Sequence, residues 1–247
     1  MSEAWLPLRR PSAAPVLRLF CLPHAGGAAS AFRAWPAAAP YGLEVCPVQL
    51  PGRETRFAEP LPTGIGDLVP ELAEALLPVL DVPFALLGNS MGALIAYELA
   101  RHLQREYCLA PVRLVVAAAR RPGAAADLPP VSHLEDQAFG RAMQDRHGGI
   151  PAAILDDPQV GAVFLPVLRA DMAMVEGYRP APAPPLTCPI TAYAGTGDRT
   201  VGPAELDGWA AVTTGRFERH MLDGDHFAVL PHAGTVIGRL ADELALR

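Results

Sequence analysis

The sequence predicts an α/β fold, with a mostly parallel, twisted sheet flanked by helices on both faces. Short apolar runs alternate with longer helical patterns along most of the chain, which is typical of this class. Nearly every position in most of these runs is apolar, as in strands that are buried on both sides. The 247 residues, 51% of them hydrophobic and 19% charged, can form a sizeable core, and we expect residues 1–247 to make a single domain.

Six apolar runs are the predicted strands, and the polar residues of the last run indicate an edge position in the sheet. In chain order the predicted strands are Val16–Leu22, Leu43–Leu50, Phe84–Leu87, Val112–Ala118, Ile190–Ala194 and Arg216–Leu222. Five helices are predicted from the helical periodicity, at Ala31–Ala39, Gly66–Leu80, Met91–Gln104, Pro203–Val212 and Ala233–Leu246.

A long segment before the penultimate strand, Arg120–Pro189, interrupts this alternation because it contains helical patterns and no convincing strand. The sequence Ser132–Glu135 resembles a capping box and predicts the start of one helix. The pair Asp157-Pro158 offers an N-cap followed by proline, which predicts a second helix ending near Tyr178. Insertions of this kind at a sheet edge usually cover a substrate pocket, so we expect a helical lid at about 121–185.

Composition excludes several functions. With 20 basic and 26 acidic residues the net charge is −6, which argues against a nucleic-acid binder that neutralises phosphates. All the basic residues are arginine, so Schiff-base and P-loop lysine chemistry are excluded. The four cysteines are too widely spaced for a metal site, and we expect no metal or other cofactor. No apolar run reaches the roughly 18 residues that a membrane span needs, so we expect a soluble, cytoplasmic protein without membrane contact.

The motif Gly88–Gly92 is the strongest indication of chemistry, because it lies between a predicted strand and a predicted helix. In that context the glycines permit a tight turn that exposes Ser90 as a nucleophile. The same turn directs the backbone N–H of Met91 toward the place where an oxyanion would form.

A serine nucleophile needs a base, and His226 is the candidate. Three histidines follow Ser90 far enough along the chain, but His220 falls within the last predicted strand and His232 opens the final helix. His226 lies in the loop after that strand, at the sheet edge where the serine turn also emerges.

Asp198 is the candidate acid that orients the base, because it directly follows the strand Ile190–Ala194. Asp223 and Asp225 are too close in sequence to His226 to reach its Nδ1 easily, and Asp171 lies in the middle of a predicted helix. In the assembled site the base would take the serine proton, and the carboxylate would select its tautomer.

A second oxyanion donor is expected in the loop after the first core strand. The sequence there is Leu22–Gly27, and the backbone N–H of Ala25 is the candidate donor. His24 precedes the nucleophile, and we interpret it as a residue that shapes this loop.

Five motifs occur in order along nearly the whole chain: Leu22–Gly27, Gln49–Arg53, Gly88–Gly92, Leu168–Asp171 and Gly224–Phe227. With these motifs the chain resembles the type II thioesterases that accompany polyketide synthases and non-ribosomal peptide synthetases. The resemblance implies an α/β-hydrolase fold with a helical lid, and a stand-alone editing enzyme. Such an enzyme hydrolyses stalled or wrongly primed acyl groups from the phosphopantetheine arm of carrier proteins.

The family's nucleophile, acid and base correspond to Ser90, Asp198 and His226, and its oxyanion amides to Ala25 and Met91. The chain departs from the family in one place, because Asn89 stands where the family usually has histidine. This change bears on substrate preference or rate rather than on the class of reaction. The residues themselves indicate only acyl transfer through a serine, so an acyltransferase or cyclase and a generic carboxylesterase remain alternatives, as does a catalytically idle carrier-binding module.

The implied partners are acyl or peptidyl carrier proteins, which bind transiently, and we expect a monomer that takes small acyl groups as substrate. Carrier proteins are typically acidic, so a docking patch on this negatively charged chain would have to be local. Arg53 and Arg56, after the second strand, are predicted to meet a phosphate or a carrier surface, as are Arg120 and Arg121.

Overall fold

The structure is a computed structural model that describes residues 2–125 and 128–245. Its centre is a six-stranded sheet with the order β2-β1-β3-β4-β5-β6. All neighbouring strands are parallel. The strands are β1 (Leu17–Leu22), β2 (Leu43–Pro47), β3 (Phe84–Asn89), β4 (Arg113–Ala117), β5 (Ile190–Gly195) and β6 (Phe217–Leu222). The α/β class, the six strands and the edge position of the last strand are therefore confirmed.

Helices cover both faces of the sheet, so the inner strands are buried on both sides. One face packs against α2 (Ile65–Leu76) and α3 (Met91–Tyr107), and the other against α8 (Ala233–Glu243). Successive residues of β1 alternate between the two cores: Phe20 belongs to the first and Cys21 to the second. This double burial explains why the strands are apolar without alternation.

Several predicted helices are shorter or tighter than expected. The predicted helix Ala31–Ala39 is instead two 3₁₀ turns, Ala29–Phe32 and Trp35–Ala38, because Pro36 cannot donate an amide hydrogen bond within a longer helix. The region predicted as Pro203–Val212 is a short helix followed by a 3₁₀ turn. That short helix is α7 (Pro203–Asp207). A further short helix near the start of the described residues, α1 (Ser2–Trp5), was not predicted. The predicted end of the last helix, Leu246, lies outside the described residues.

Three helices lie between β4 and β5: α4 (Asp136–His147), α5 (Ala152–Asp156) and α6 (Pro158–Gly177). They share a small apolar core that includes Phe139, Met143 and Leu165. The predicted N-cap is confirmed, because the Asp157 side chain accepts a hydrogen bond from the Gln159 amide at 2.8 Å.

The predicted capping box Ser132–Glu135 is wrong. The Ser132 hydroxyl donates a hydrogen bond to Glu176 of α6 at 2.5 Å, and helix α4 begins only at Asp136. The serine is therefore used in a tertiary contact between two segments of the insertion rather than as a helix cap.

The chain order reverses between β1 and β3, since β2 lies on one side of this pair and β4 on the other. Loops that leave the carboxyl ends of such a pair diverge and leave a crevice where ligands bind in open α/β sheets. The segments after β1 and β3 contain Ala25 and Ser90. Among the described residues, no helix is both long and apolar enough to cross a bilayer.

Candidate active site

Ser90 occupies a strained turn between β3 and α3. Its φ of 54° and ψ of −114° lie in a region that non-glycine residues rarely adopt, and its N–H is held by the carbonyl oxygen of Ala117 at 2.8 Å. The neighbouring glycines permit this turn: a Cβ on Gly88 would lie 2.1 Å from the Gly92 carbonyl oxygen. The turn leaves the serine hydroxyl at the carboxyl edge of the sheet, as expected for a nucleophile elbow.

The structure brings together the three side chains that the sequence nominated. His226 Nε2 lies 3.0 Å from Ser90 Oγ, and His226 Nδ1 lies 2.8 Å from Asp198 Oδ2. The imidazole is only 5% exposed and the Asp198 side chain is fully buried. This arrangement gives a serine hydroxyl, a base and an orienting carboxylate in one continuous hydrogen-bonded chain.

Hydrogen bonds keep the Asp198 carboxylate charged despite its burial. Burial alone would raise its pKa, but the hydrogen bond and charge of His226, with the donors of Thr200, hold the pKa of Asp198 below its ordinary value. Thr200 donates to Asp198 Oδ1 from its amide at 2.8 Å and from its hydroxyl at 2.9 Å. No sequence pattern pointed to Thr200, although it lies only two residues after Asp198.

The loops that carry Asp198 and His226 are joined through their backbones. After β5, the Gly197 N–H donates to the Gly224 carbonyl oxygen at 2.8 Å, and the Thr196 N–H donates to that of Leu222 at the same distance. These bonds extend the pairing of β5 with β6 beyond the strands. Asp198 and His226 are therefore placed by one rigid unit.

Two backbone amides are available near Ser90. Met91 is the first residue of α3, so its N–H has no acceptor within the helix. Within residues 2–125 and 128–245, the N–H of Ala25 also has no acceptor, whereas the next two amides donate to Asp171 and to His24. Both predicted oxyanion donors are thus free to bind a ligand oxygen.

Two further histidines surround His226. The ring of His147, at the end of α4, lies 4.4 Å from the His226 ring, and His24 contacts Phe227 edge-on at 4.9 Å. Burial, and then the nearby His226, lowers the pKa of both His24 and His147 to about 4, so both are neutral near pH 7. No motif of the sequence pointed to His147, because its position depends on how the insertion packs on the sheet.

Ser90 and His226 open into a cavity of about 630 Å³ between the sheet edge and the insertion, whose helices α4 and α6 both line it. Its walls are largely apolar, and the apolar side chains that line it include Met91, Leu94, Met143, Phe164, Leu168 and Met172. Four arginines also line it: Arg120, Arg121, Arg146 and Arg179. The only carboxylate among the described lining residues is Glu176, which accepts hydrogen bonds from Val131 and Ser132.

Asn89, beside the nucleophile, is completely buried, and its side-chain nitrogen and oxygen have no partner among the described residues. Unsatisfied buried amides cost stability, about 1–3 kcal/mol per group. Asn89 therefore lies in an environment that does not satisfy its polar atoms.

The predicted encounter surface at Arg53 and Arg56 is wrong. The two residues are 4% and 5% exposed. Arg53 forms a buried ion pair with Asp171, and Arg56 pairs with Glu59 and lies over the Trp5 ring. These arginines are occupied inside the protein, so they cannot form a free patch for an acidic partner.

The cysteines do not contribute to this site. Cys21, Cys46 and Cys188 are buried thiols and Cys108 is exposed, and none of the four is in a disulfide. In the described ranges, no group of three or more His, Cys, Asp or Glu side chains is arranged to hold a metal ion.

Comparisons of the sequence and of the structure with known proteins agree on one family. The sequence model of the family described as "Thioesterase domain" matches residues 17–244. The gramicidin S biosynthesis protein GrsT of Aneurinibacillus migulanus is 37% identical over 98% of this chain and 94% of its own length. The structure of BorB, a type II thioesterase from the borrelidin cluster, superposes with a TM-score of 0.86 at 32% identity, covering 99% of this chain and 98% of that one. YbtT, a type II thioesterase from the yersiniabactin NRPS/PKS pathway, gives a TM-score of 0.84 at 30% identity over 95% of both chains.

Proposed function

The chain belongs to the thioesterase domain family, and from this premise we propose that it hydrolyses acyl thioesters on the phosphopantetheine arm of carrier proteins in polyketide or non-ribosomal peptide biosynthesis. The relatives described as type II thioesterases of such pathways support this assignment. The observation that carries it is the hydrogen-bonded chain Ser90–His226–Asp198 at a largely apolar cavity.

In the proposed reaction, Ser90 Oγ attacks the thioester carbonyl carbon while His226 Nε2 takes the hydroxyl proton. Asp198 holds the imidazole in the tautomer that can accept this proton and stabilises the imidazolium. The amides of Ala25 and Met91 donate hydrogen bonds to the oxyanion of the tetrahedral intermediate.

The carbon–sulfur bond then breaks, and the thiol of the arm leaves with the proton from His226. A thiolate is a good leaving group, so the reaction demands less of His226 as an acid than amide cleavage would. Water attacks the acyl-enzyme with His226 as base, which releases the carboxylic acid and restores Ser90.

The segment at about 121–185 acts as the lid over this reaction in our proposal. Together with its loops, helices α4 and α6 of this segment supply much of the apolar wall of the cavity, which suits an acyl chain. A cavity of about 630 Å³ accommodates small acyl groups, the substrates expected of an editing enzyme.

We propose that the phosphopantetheine arm approaches along Arg121, Arg146 and Arg179. Each of these arginines lines the cavity and donates a hydrogen bond to a backbone carbonyl, and none forms an ion pair with a carboxylate of the described residues. Their guanidinium groups therefore keep donors for the phosphodiester of the arm. This basic cluster, in a chain of net charge −6, supports a weak, transient encounter of a monomer with an acidic carrier protein.

The decisive experiment compares acyl-carrier proteins with matched acyl-coenzyme A thioesters and p-nitrophenyl esters. A clear preference in kcat/KM for the carrier-bound thioesters supports the proposal, and equal or better turnover of the oxygen esters contradicts it. Product analysis with added alcohol or amine covers the alternative of acyl transfer, since an acyltransferase or cyclase would form ester or amide instead of free acid. Release of short acyl groups from mischarged carriers, in preference to the normal intermediate, tests the editing role.

A further inference from the structure

The Asp171 carboxylate, in the middle of α6, is completely buried, and both of its oxygens accept hydrogen bonds. Its Oδ1 accepts a hydrogen bond from Arg53 Nη2 at 2.8 Å, and its Oδ2 accepts one from Arg53 Nη1 at 2.5 Å. Oδ2 also accepts the backbone N–H of Gly26 at 2.8 Å. The carboxylate thus joins a helix of the insertion to the segment after β1.

Arg53 fixes the other side of this contact. Besides its two bonds to Asp171, its guanidinium donates to the carbonyl oxygens of Pro51 and Gly27, each at 3.2 Å. Its own carbonyl oxygen accepts from the Gln49 side chain at 3.1 Å. The pair therefore connects the segments after β1 and β2 to α6 with a planar, bidentate geometry that permits little rotation.

The amide that Asp171 binds belongs to a tight turn, His24–Gly27. The Gly27 N–H donates to the His24 carbonyl oxygen at 2.9 Å, and Gly26 has a φ of +74°, as in a type II turn. The His24 carbonyl shares its peptide plane with the Ala25 N–H, so this turn bond orients that amide. Asp171 orients the next plane, between Ala25 and Gly26, which is the plane that rotates when such a turn changes type.

We infer that Asp171, held by Arg53, is a positioning residue that keeps the Ala25 N–H aimed at the oxyanion. This inference rests on the proposed function, because it needs Ala25 as an oxyanion donor. Both peptide planes that flank Ala25 are then held, one by the turn and one by α6. The packing agrees, since Leu168 and Phe164 of α6 approach so closely that a Cβ on Gly26 would lie 3.1 Å from each.

These contacts hold helix α6 of the insertion in place. If α6 moved away from the sheet, Gly26 would lose its acceptor and Arg53 would be left as a buried, unpaired charge, which is strongly unfavourable. Helix α6 is thus held against the segment after β1 as part of the site.

The test compares two double variants that leave no buried charge. Arg53→Met with Asp171→Leu removes the acceptor of the Gly26 N–H, and Arg53→Met with Asp171→Asn retains one. Replacing both members of a buried ion pair avoids the penalty of an unpaired charge, so both variants are expected to fold. If either does not fold, Arg53→Gln with Asp171→Ala and Arg53→Gln with Asp171→Asn provide the same comparison, again without a buried charge.

We expect kcat of the double variant with Asp171→Leu, which lacks the acceptor, to fall about tenfold or more. The kcat of the double variant with Asp171→Asn, which keeps the acceptor, should stay within about threefold of wild type. KM should change little in either variant. Affinity for an alkyl trifluoromethyl ketone, which forms an oxyanion adduct with the serine, should fall in parallel with kcat. Affinity for an unreactive thioether analogue of the substrate should not change, because it forms no oxyanion.

Equal kcat and equal ketone affinity in the two double variants overturns the inference, whether both are active or both impaired. Glu243→Gln, which breaks the remote Arg113–Glu243 pair, controls for general loss of stability. Failure of the proposed function is a different result: wild-type protein would then lack thioesterase activity, or Ser90→Ala would retain it.

Discussion

The imidazole Nδ1 of His226 lies 2.8 Å from Oδ2 of Asp198, although these residues are 28 positions apart and follow different strands. The carboxylate is buried, and its second oxygen is saturated by donors from Thr200 and Val201. The other oxygen of Asp198, Oδ2, is therefore available to hold the imidazole of His226.

Asp198→Asn should lower kcat by about 10³-fold to 10⁴-fold, because an amide stabilises the wrong imidazole tautomer. Steady-state hydrolysis of an acyl-carrier protein or an acyl-N-acetylcysteamine thioester measures this. Asp225→Asn is the matched control: this exposed carboxylate lies next to His226, and among the described residues it accepts a hydrogen bond only from the Phe227 amide. Near-normal activity of Asp198→Asn would mean that another group is the acid.

Ser90→Ala should reduce turnover by several orders of magnitude while the protein stays folded, since the oxyanion amides and substrate binding remain. Retention of a tenth of the wild-type rate would remove Ser90 from its assigned role. Ser90→Gly should be equally inactive but more stable than Ser90→Ala by about 1 kcal/mol, because glycine relieves the strain of the positive φ. Urea unfolding of the two variants measures that difference.

Gly92→Ala should destabilise the protein by about 3 kcal/mol or more, because the new Cβ would lie 2.3 Å from the Leu22 carbonyl oxygen of β1. Gly238→Ala provides the contrast within another helix. Apart from the neighbouring backbone of its own helix, no atom of the described residues lies within 4 Å of its added Cβ, so it should stabilise α8 by about 0.5–1 kcal/mol. The urea unfolding midpoints of the two variants measure this difference in stability. Similar midpoints for both variants would contradict the tight contact of α3 with β1.

His147→Gln should make the stability of the protein less sensitive to acid. Burial lowers the pKa of His147 from 6.5 to about 4, so between these values the unfolded chain binds more protons than the folded one. The free energy of unfolding of the wild type should therefore decrease as pH falls through this window. Urea unfolding at about pH 7.5 and about pH 5 should show a smaller loss for His147→Gln. His133→Gln, at an exposed position of the same segment, should behave like wild type, and an unchanged loss in both variants would contradict the burial of His147.

For an acyl-phosphopantetheine substrate, kcat/KM should fall severalfold in each of three variants, Arg121→Gln, Arg146→Gln and Arg179→Gln. For the same acyl group on pantetheine without phosphate, kcat/KM should fall much less. The effect should shrink as salt concentration rises, since exposed charges are screened. Arg141→Gln removes an exposed arginine of α4 that does not line the cavity, and it should change neither value. Equal losses with both substrates would show that these arginines do not bind the phosphate.

Local signals account for the success of sequence analysis in the sheet. The inner strands were recognised because burial on both faces makes most of their residues apolar, and β3 differs only at its end, where it continues from the predicted Leu87 to Asn89. The last strand, β6, was recognised as an edge strand by its polar residues. The errors occur where a proline or a distant partner overrides a local pattern. Pro36 converts a predicted helix into 3₁₀ turns, and Glu176 takes the hydroxyl of Ser132 away from its predicted cap.

The sequence by itself determined the α/β class and the nomination of Ser90, His226 and Asp198, because each of them directly follows a strand at a motif whose turn chemistry is local. Only the tertiary structure decided what surrounds them. The burial of Arg53 against Asp171, the approach of His147 to His226 and the basic lining of the cavity depend on how the insertion packs across the sheet. Such contacts join residues far apart in the chain, and no periodicity or motif of the sequence specifies them.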